Sequence, residues 1–223
     1  MKTRTVSGKM LAFVLTAVMV IAAGCATSKV GETGFLKDYS KLQPGREGGV
    51  DQIYLMQGVD FKRYTKIMME PVTFYLKEDA KNKGINAGEM KDLSDAFHRA
   101  IAKELEGAYP LVSQPGPDVM RIRVAITGLD QSRPLQSGLS TITPAGLVVS
   151  AVGKAATGEW MGVGGASMET EVLDSQTNTV IGSAVDRRPG SKIDGFTTWG
   201  GAKAAFEFWA KRLRIWLDET HGK

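Results

Sequence analysis

Few residues in this 223-residue chain are suited to chemistry, and their spacing decides how each is read. His98 and His221 are its two histidines, and histidine titrates close to neutral pH. Neither has a partner at metal-ligand spacing. His98 falls on the edge of the apolar stripe of a predicted helix, which suits a structural role. Glu169 and Glu171 lie two apart and so share one strand face. Paired carboxylates can do acid–base work, but on an exposed strand face they form a solvated surface, and that is the expectation. Glu104 projects into the Leu93, Phe97 and Ala100 stripe. A buried carboxylate needs a partner, which Arg121 or Arg123 could supply, but a position near the helix end favours contact with water. Gly146 to Lys154 fails as a phosphate loop, because six residues separate its glycines and Ala155 stands where a magnesium-binding hydroxyl is needed. Gly162, Gly164 and Gly165 lack the spacing of a dinucleotide fingerprint. No Gly-x-Ser-x-Gly elbow occurs. The expectation is a protein that is not an enzyme and holds no metal or cofactor.

Two apolar features carry more weight. The first runs from Ile142 to Gly165, with Lys154 and Glu159 as its charges and six glycines as punctuation. It is too broken to span a bilayer, which takes about 20 apolar residues. Pro144 can open a short helix carrying Leu147 and Val148. The segment reads either as a loop and helix folded on the sheet or as a mobile lid that meets membrane, partner or ligand. In the ligand reading, Leu147, Val148, Trp160 and Met161 are candidate contacts, and Met168 helps to line a pocket. The second feature is the far side of the last helix. Phe208 and Ile215, seven apart, share a face away from the main stripe. Either the Phe35–Leu42 strip folds back over them, or they form a contact for a protein partner, as exposed apolar clusters commonly do.

These residues need elements to hold them. Tyr64 to Leu76 is rich in strand formers, and Pro71 makes it an edge strand or two short pieces. Asn86 stands three before Glu89, the spacing of a capping box, so a helix is predicted from there to about Glu106, before Gly107 and Pro110. Val119 to Thr127 alternates in strand fashion, with Met120, Ile122, Val124 and Ile126 on one side and Arg121, Arg123 and Ala125 on the other. Met168–Leu173 and Val180–Val185 form a predicted hairpin around the turn-rich DSQTNT. Ala202, Phe206, Trp209, Leu213 and Trp216 step by four and three along a final helix from about Gly200 to Glu219. Strands grouped between two helices predict an α+β fold, with an antiparallel sheet of four or five strands covered on one face by two helices.

The N-terminus places this domain in a compartment. Lys2, Arg4 and Lys9 form a basic head, Met10 to Ala23 is free of charge, and small residues lead to Cys25. This is the pattern of a secretory signal peptide, with cleavage between Gly24 and Cys25. Ala22-Ala23-Gly24-Cys25 resembles the lipobox of bacterial lipoproteins, in which the cysteine is acylated. Ala22 takes the place of the usual leucine. Cys25 is the single cysteine, so no intramolecular disulfide is possible, and acylation removes any thiol chemistry. Two or more acyl chains hold a protein stably at a membrane where one does not. Ala26, rather than an aspartate, follows the cysteine, which by resemblance to enterobacterial lipoproteins implies the outer membrane. The predicted organisation is a signal peptide over 1–24, a lipidated tether over 25–34, and one globular domain over 35–223. A flexible tether of about ten residues spans on the order of 18 Å.

Charge excludes another class. The chain holds 28 basic and 24 acidic residues. Three of the basic residues lie in the leader, so the exported domain is nearly neutral. A basic footprint for nucleic acid should sit on the domain itself, and none is expected as a partner.

Three stretches, GFLKDYSKLQPG, GLVVSAVGKAATGEWMGVGGASMETEVLDSQTN and TTWGGAKAAFEFWAKRLRIWLDE, together resemble a family of Gram-negative lipoproteins that carries domain of unknown function 3313. The resemblance covers nearly all of the exported chain. It implies an envelope lipoprotein and no catalytic activity. The sequence as a whole points to a non-catalytic binding or accessory module, membrane-anchored and meeting an envelope protein. The alternative is a carrier or sensor of a small apolar ligand in the periplasm.

Overall fold

A computed structural model describes residues 32–76, 85–132, 164–191, 194 and 197–223. Within them the chain forms one sheet and two long helices. The strands are β1 (Gln43–Pro44), β2 (Gln52–Leu55), β3 (Lys66–Met69) and β4 (Thr73–Phe74), then β5 (Val119–Asp130), β6 (Gly165–Asp174) and β7 (Val180–Pro189). Helix α1 spans Ala87–Leu105 and helix α2 spans Gly200–His221. The strand order is β1-β2-β7-β6-β5-β3, and β4 joins the same edge of β5.

The α+β class holds, but two details of the expectation do not. The sheet has seven strands rather than four or five, and it is mixed rather than antiparallel. Both β3 and β4 run parallel to β5. The cause is the helix between them. A chain that leaves a strand, crosses in a helix and re-enters the same sheet at the same end pairs in parallel, and α1 is that crossover. Pro71 splits this edge into its two short strands. The other extra strands, β1 and β2, extend β7 by antiparallel pairing, with Ile53 opposite Ala184.

Local signals set the element ends. Asn86 accepts from the Glu89 amide at 3.0 Å, while the Glu89 side chain accepts from the Asn86 amide, completing the capping box. Gly222, with φ of +72°, closes α2 in the left-handed conformation that suits glycine. The hairpin turn after β6 is fixed by Asp174, whose carboxylate accepts from the Thr177 amide at 2.7 Å and the Gln176 amide at 3.1 Å.

The front face of the sheet carries Met120, Ile122, Val124 and Ile126 from β5 and Met168 from β6, and both helices cover it. Phe97 of α1 meets Phe206 of α2 edge-on at 5.5 Å, which joins the two helices. Leu93, Phe97, Ile101 and Leu105 are the buried residues of α1, as its periodicity predicts. Burying each such side chain stabilises the fold by roughly 1.5–3 kcal/mol before the cost of ordering it. Glu104 is half-buried and remains near the helix end. Its side chain does not meet Arg121 or Arg123, which pair with Glu70 instead.

Candidate functional site

The back face of the sheet overturns one expectation. Glu169 and Glu171 are fully buried rather than solvated. Their cover is the segment from Thr33 to Tyr39. The Thr33 hydroxyl donates to Glu169 at 2.9 Å and the Thr33 amide donates to it at 3.1 Å. The Tyr39 hydroxyl donates to the same carboxylate, and in turn accepts from the amides of Gly34 at 2.9 Å and Leu36 at 3.3 Å. Glu171 accepts from the Lys37 amide at 2.9 Å and from Arg123 at 2.8 Å. Two carboxylates that would be costly to bury alone are thus satisfied by a strap of chain more than 130 positions away. Phe35 completes the strap, with its ring 5.8 Å from that of Tyr75 and under the Arg123 guanidinium at 5.2 Å. Residues 33–39 therefore pack on the sheet face opposite the helices, and Phe35 and Tyr39 do not fold over Phe208 and Ile215. Every carboxylate oxygen of the pair accepts from a donor among the described residues.

The histidines are engaged in the same way. His98 Nδ1 lies 2.9 Å from the Ser94 carbonyl, and His221 Nδ1 lies 2.8 Å from the Leu217 carbonyl. Among the described residues no cluster of His, Cys, Asp or Glu is placed to hold a metal ion.

The front face holds the candidate site. A cavity of about 170 Å³ lies between the sheet and α2. Its floor is formed by Ile122, Val124, Met168 and Val172, and its roof by Trp209, Leu213 and Trp216 of α2. The alternation that places Glu169 and Glu171 on the back face places Met168, Thr170 and Val172 on this one. Arg46, Arg212 and Glu219 stand at the mouth, beside the exposed Leu55.

One wall is the β1–β2 loop, and glycines shape it. A side chain at Gly45 would strike the Val50 carbonyl at 1.8 Å. Asp186, fully buried, ties this loop to α2. It accepts from the Trp209 indole at 2.6 Å, the Asp51 amide at 2.7 Å and Arg188 at 2.7 Å. Burial pushes the Asp186 carboxyl up, while the hydrogen bonds from Trp209 and Arg188 pull the other way. Arg188 also donates to the Gly49 carbonyl. The roof and the wall of the cavity therefore hang on one carboxylate. The sequence reading missed Asp186, although a lone acid among the apolar residues of β7 was a visible signal.

Of the residues singled out from sequence, Met168 lines the cavity. Phe208 and Ile215 are half-buried and do not line the cavity, and Phe208 packs against the edge of the core. The Arg188 guanidinium stacks 4.0 Å above the Phe208 ring, which explains part of its cover. Gly24, Cys25, Leu147, Val148, Trp160 and Met161 lie outside the described residues, as does most of the 142–165 segment. Among the described residues no helix is long and apolar enough to cross a membrane.

Residues 31–213 match the model of a family described as protein of unknown function (DUF3313). The chain belongs to this family. A similar protein is the uncharacterized lipoprotein YdcL of Escherichia coli K12, 24% identical over 194 residues that cover 81% of this chain and 82% of that one. Among solved structures, the PelC dodecamer from Paraburkholderia phytofirmans aligns with a TM-score of 0.38 at 11% identity, covering 72% of this chain and 96% of that one. Protein XCC0632 from Xanthomonas campestris aligns with a TM-score of 0.35 at 8% identity, covering 71% and 86%. The family description assigns no activity.

Proposed function

We propose that this DUF3313 protein is a non-catalytic binding module of the cell envelope, anchored by lipid on Cys25 to the outer membrane and facing the periplasm. The relationship to an uncharacterized lipoprotein supports the anchor, together with the Ala22-Ala23-Gly24-Cys25 motif. The histidines and the Glu169–Glu171 pair are committed to structural contacts, which supports a binding role over a catalytic one. The observation that carries the reading is the cavity under α2. It has an apolar lining, three charged groups at its mouth, and a size close to that of an engineered cavity of about 150 Å³ that takes up benzene. Such a space receives an aromatic ring or a short alkyl segment.

A neutral apolar dye with a single ring, 4-(dimethylamino)benzonitrile, tests this on the full chain carrying Cys25→Ser, which avoids detergent. The expected result is a saturable rise in dye fluorescence, which Ala184→Phe abolishes by placing a ring in the cavity. No rise with the unblocked chain sinks the reading, and so does undiminished binding by the blocked one.

A second reading, contact with an envelope protein through the outer side of α2, is favoured by the partial exposure of Phe208 and Ile215. Photo-cross-linking in cells from position 215 should then give one dominant protein adduct. Its absence removes this contact without touching the cavity.

A further inference from the structure

We infer that the ligand of the α2 cavity is a single-chain anionic amphiphile, whose apolar end enters the cavity and whose charged head is held by Arg212. This deepens the binding reading and rests on it. The argument begins with the charges at the mouth. Arg46 bridges Glu219 at 3.6 Å, so those two offset one another at the surface. Arg212 is half-buried, lines the cavity, and has no carboxylate partner among the described residues. Other described arginines are paired, Arg63 with Asp174, Arg121 and Arg123 with Glu70, Arg187 with Asp130, Arg188 with Asp186 and Arg214 with Asp218, while Arg99 stands exposed to solvent on α1. The mouth therefore keeps one uncompensated positive charge directly above an apolar chamber.

A guanidinium in this position suits a carboxylate or a phosphate. It presents a planar fork of donors that either anion accepts in a bidentate manner. A neutral apolar guest would leave that charge unmatched, and a cation would be repelled by it. A doubly acylated lipid is too bulky for a chamber of about 170 Å³, whereas one chain end fits and leaves its head at the mouth. The surroundings also hold Arg212 in place. Its stem lies one turn from Trp209 and Trp216 on the cavity side of α2, and its terminal nitrogen lies 3.8 Å from where a side chain at Gly49 would begin.

Isothermal titration of the full chain carrying Cys25→Ser, with octanoate, octyl phosphate and 1-octanol, tests the assignment. The chain is the same in all three and only the head differs. Octanoate or octyl phosphate should bind about tenfold more tightly than octanol, the gain expected of one charge-assisted contact. The tighter of the two anions tells a fatty acid from a phosphate-headed lipid. Arg212→Gln should bring the anions down to the affinity of octanol, and Arg212→Lys should keep part of the preference. Equal affinity for all three in the unsubstituted mouth overturns the anionic head while leaving an apolar cavity. Binding of none of them, with the neutral dye also silent, overturns the cavity reading itself. A preference for the anions that survives Arg212→Gln overturns the role of Arg212.

Discussion

Single carboxylates hold this domain together at two points, and their surroundings give them different relations to pH. Asp174 is the clearest. Burial raises the affinity of its carboxyl for a proton, but hydrogen bonds from the Thr177 amide and hydroxyl and from Tyr64, with the Arg63 charge beside it, outweigh burial and hold it at about 2. A carboxylate depressed in the folded state stabilises the fold at pH values above its unfolded pKa. That contribution is lost as the pH falls through the folded value. The shift corresponds to about 2 kcal/mol. Asp174→Asn should therefore lower stability by about that amount at pH 7 in urea unfolding. The gap between variant and parent should narrow between pH 4 and pH 2. A gap that stays constant across that range would show that shape, rather than charge, sets the turn. Asp186 has the opposite sign, since burial raises it. Hydrogen bonds from Trp209 and Arg188, with the Arg188 charge beside it, work against that rise.

At the scale of elements, the sequence displayed what is local. The capping box at Asn86, the stripe of α1, the β5 alternation and the β6–β7 hairpin all depend on neighbours a few positions apart, and each appears where its pattern placed it. The parallel edge was hidden because pairing direction depends on the path of α1, and not on the composition of β3 or β4. β1 and β2 were hidden because two and four residues are too short for a period to show. The burial of Glu169 and Glu171 was hidden for another reason. Alternation shows that the two share a face, but which face is covered depends on residues 33–39, of which 33 and 34 read as tether and Phe35 to Tyr39 as a strip with no signal for the face it covers. That strap makes a prediction of its own. Tyr39→Phe removes the hydroxyl that donates to Glu169 and accepts from the amides of Thr33, Gly34 and Leu36 at 3.2, 2.9 and 3.3 Å. It should cost about 1–3 kcal/mol, as expected when a buried partner is left unmet. Hydrogen exchange should quicken in residues 33–39, while α1 and β5 keep their protection. Unchanged exchange in the strap would mean that Thr33 and Lys37 hold it without the tyrosine.

The whole molecule brings the two faces into one arrangement. Thr33 is fastened to the back of the sheet, and it follows Cys25 by only eight positions. A chain of that length reaches at most about 28 Å when fully extended. With lipid on Cys25, the strap therefore limits how far the strapped domain can drift from the membrane, while the cavity opens on the other face of the sheet. Small apolar molecules partition into bilayers, so a binding domain kept within this reach samples them where they are concentrated. The anchor is testable apart from the cavity. Cys25→Ser should move the protein from the membrane pellet to the soluble fraction, because a thioether-linked acyl group cannot form on serine. The freed protein should keep the unfolding midpoint of its folded domain, since none of the described contacts involves position 25. Tyr39→Phe should do the reverse, weakening the strap while leaving the protein in the pellet. If Cys25→Ser stays with the membrane, acylation is not what holds the protein there, and a contact made by the domain itself must be sought. If the serine variant is released but has lost stability as well, the leader contributes to the fold, and residues 25–32 would have to be counted with the domain rather than with the tether.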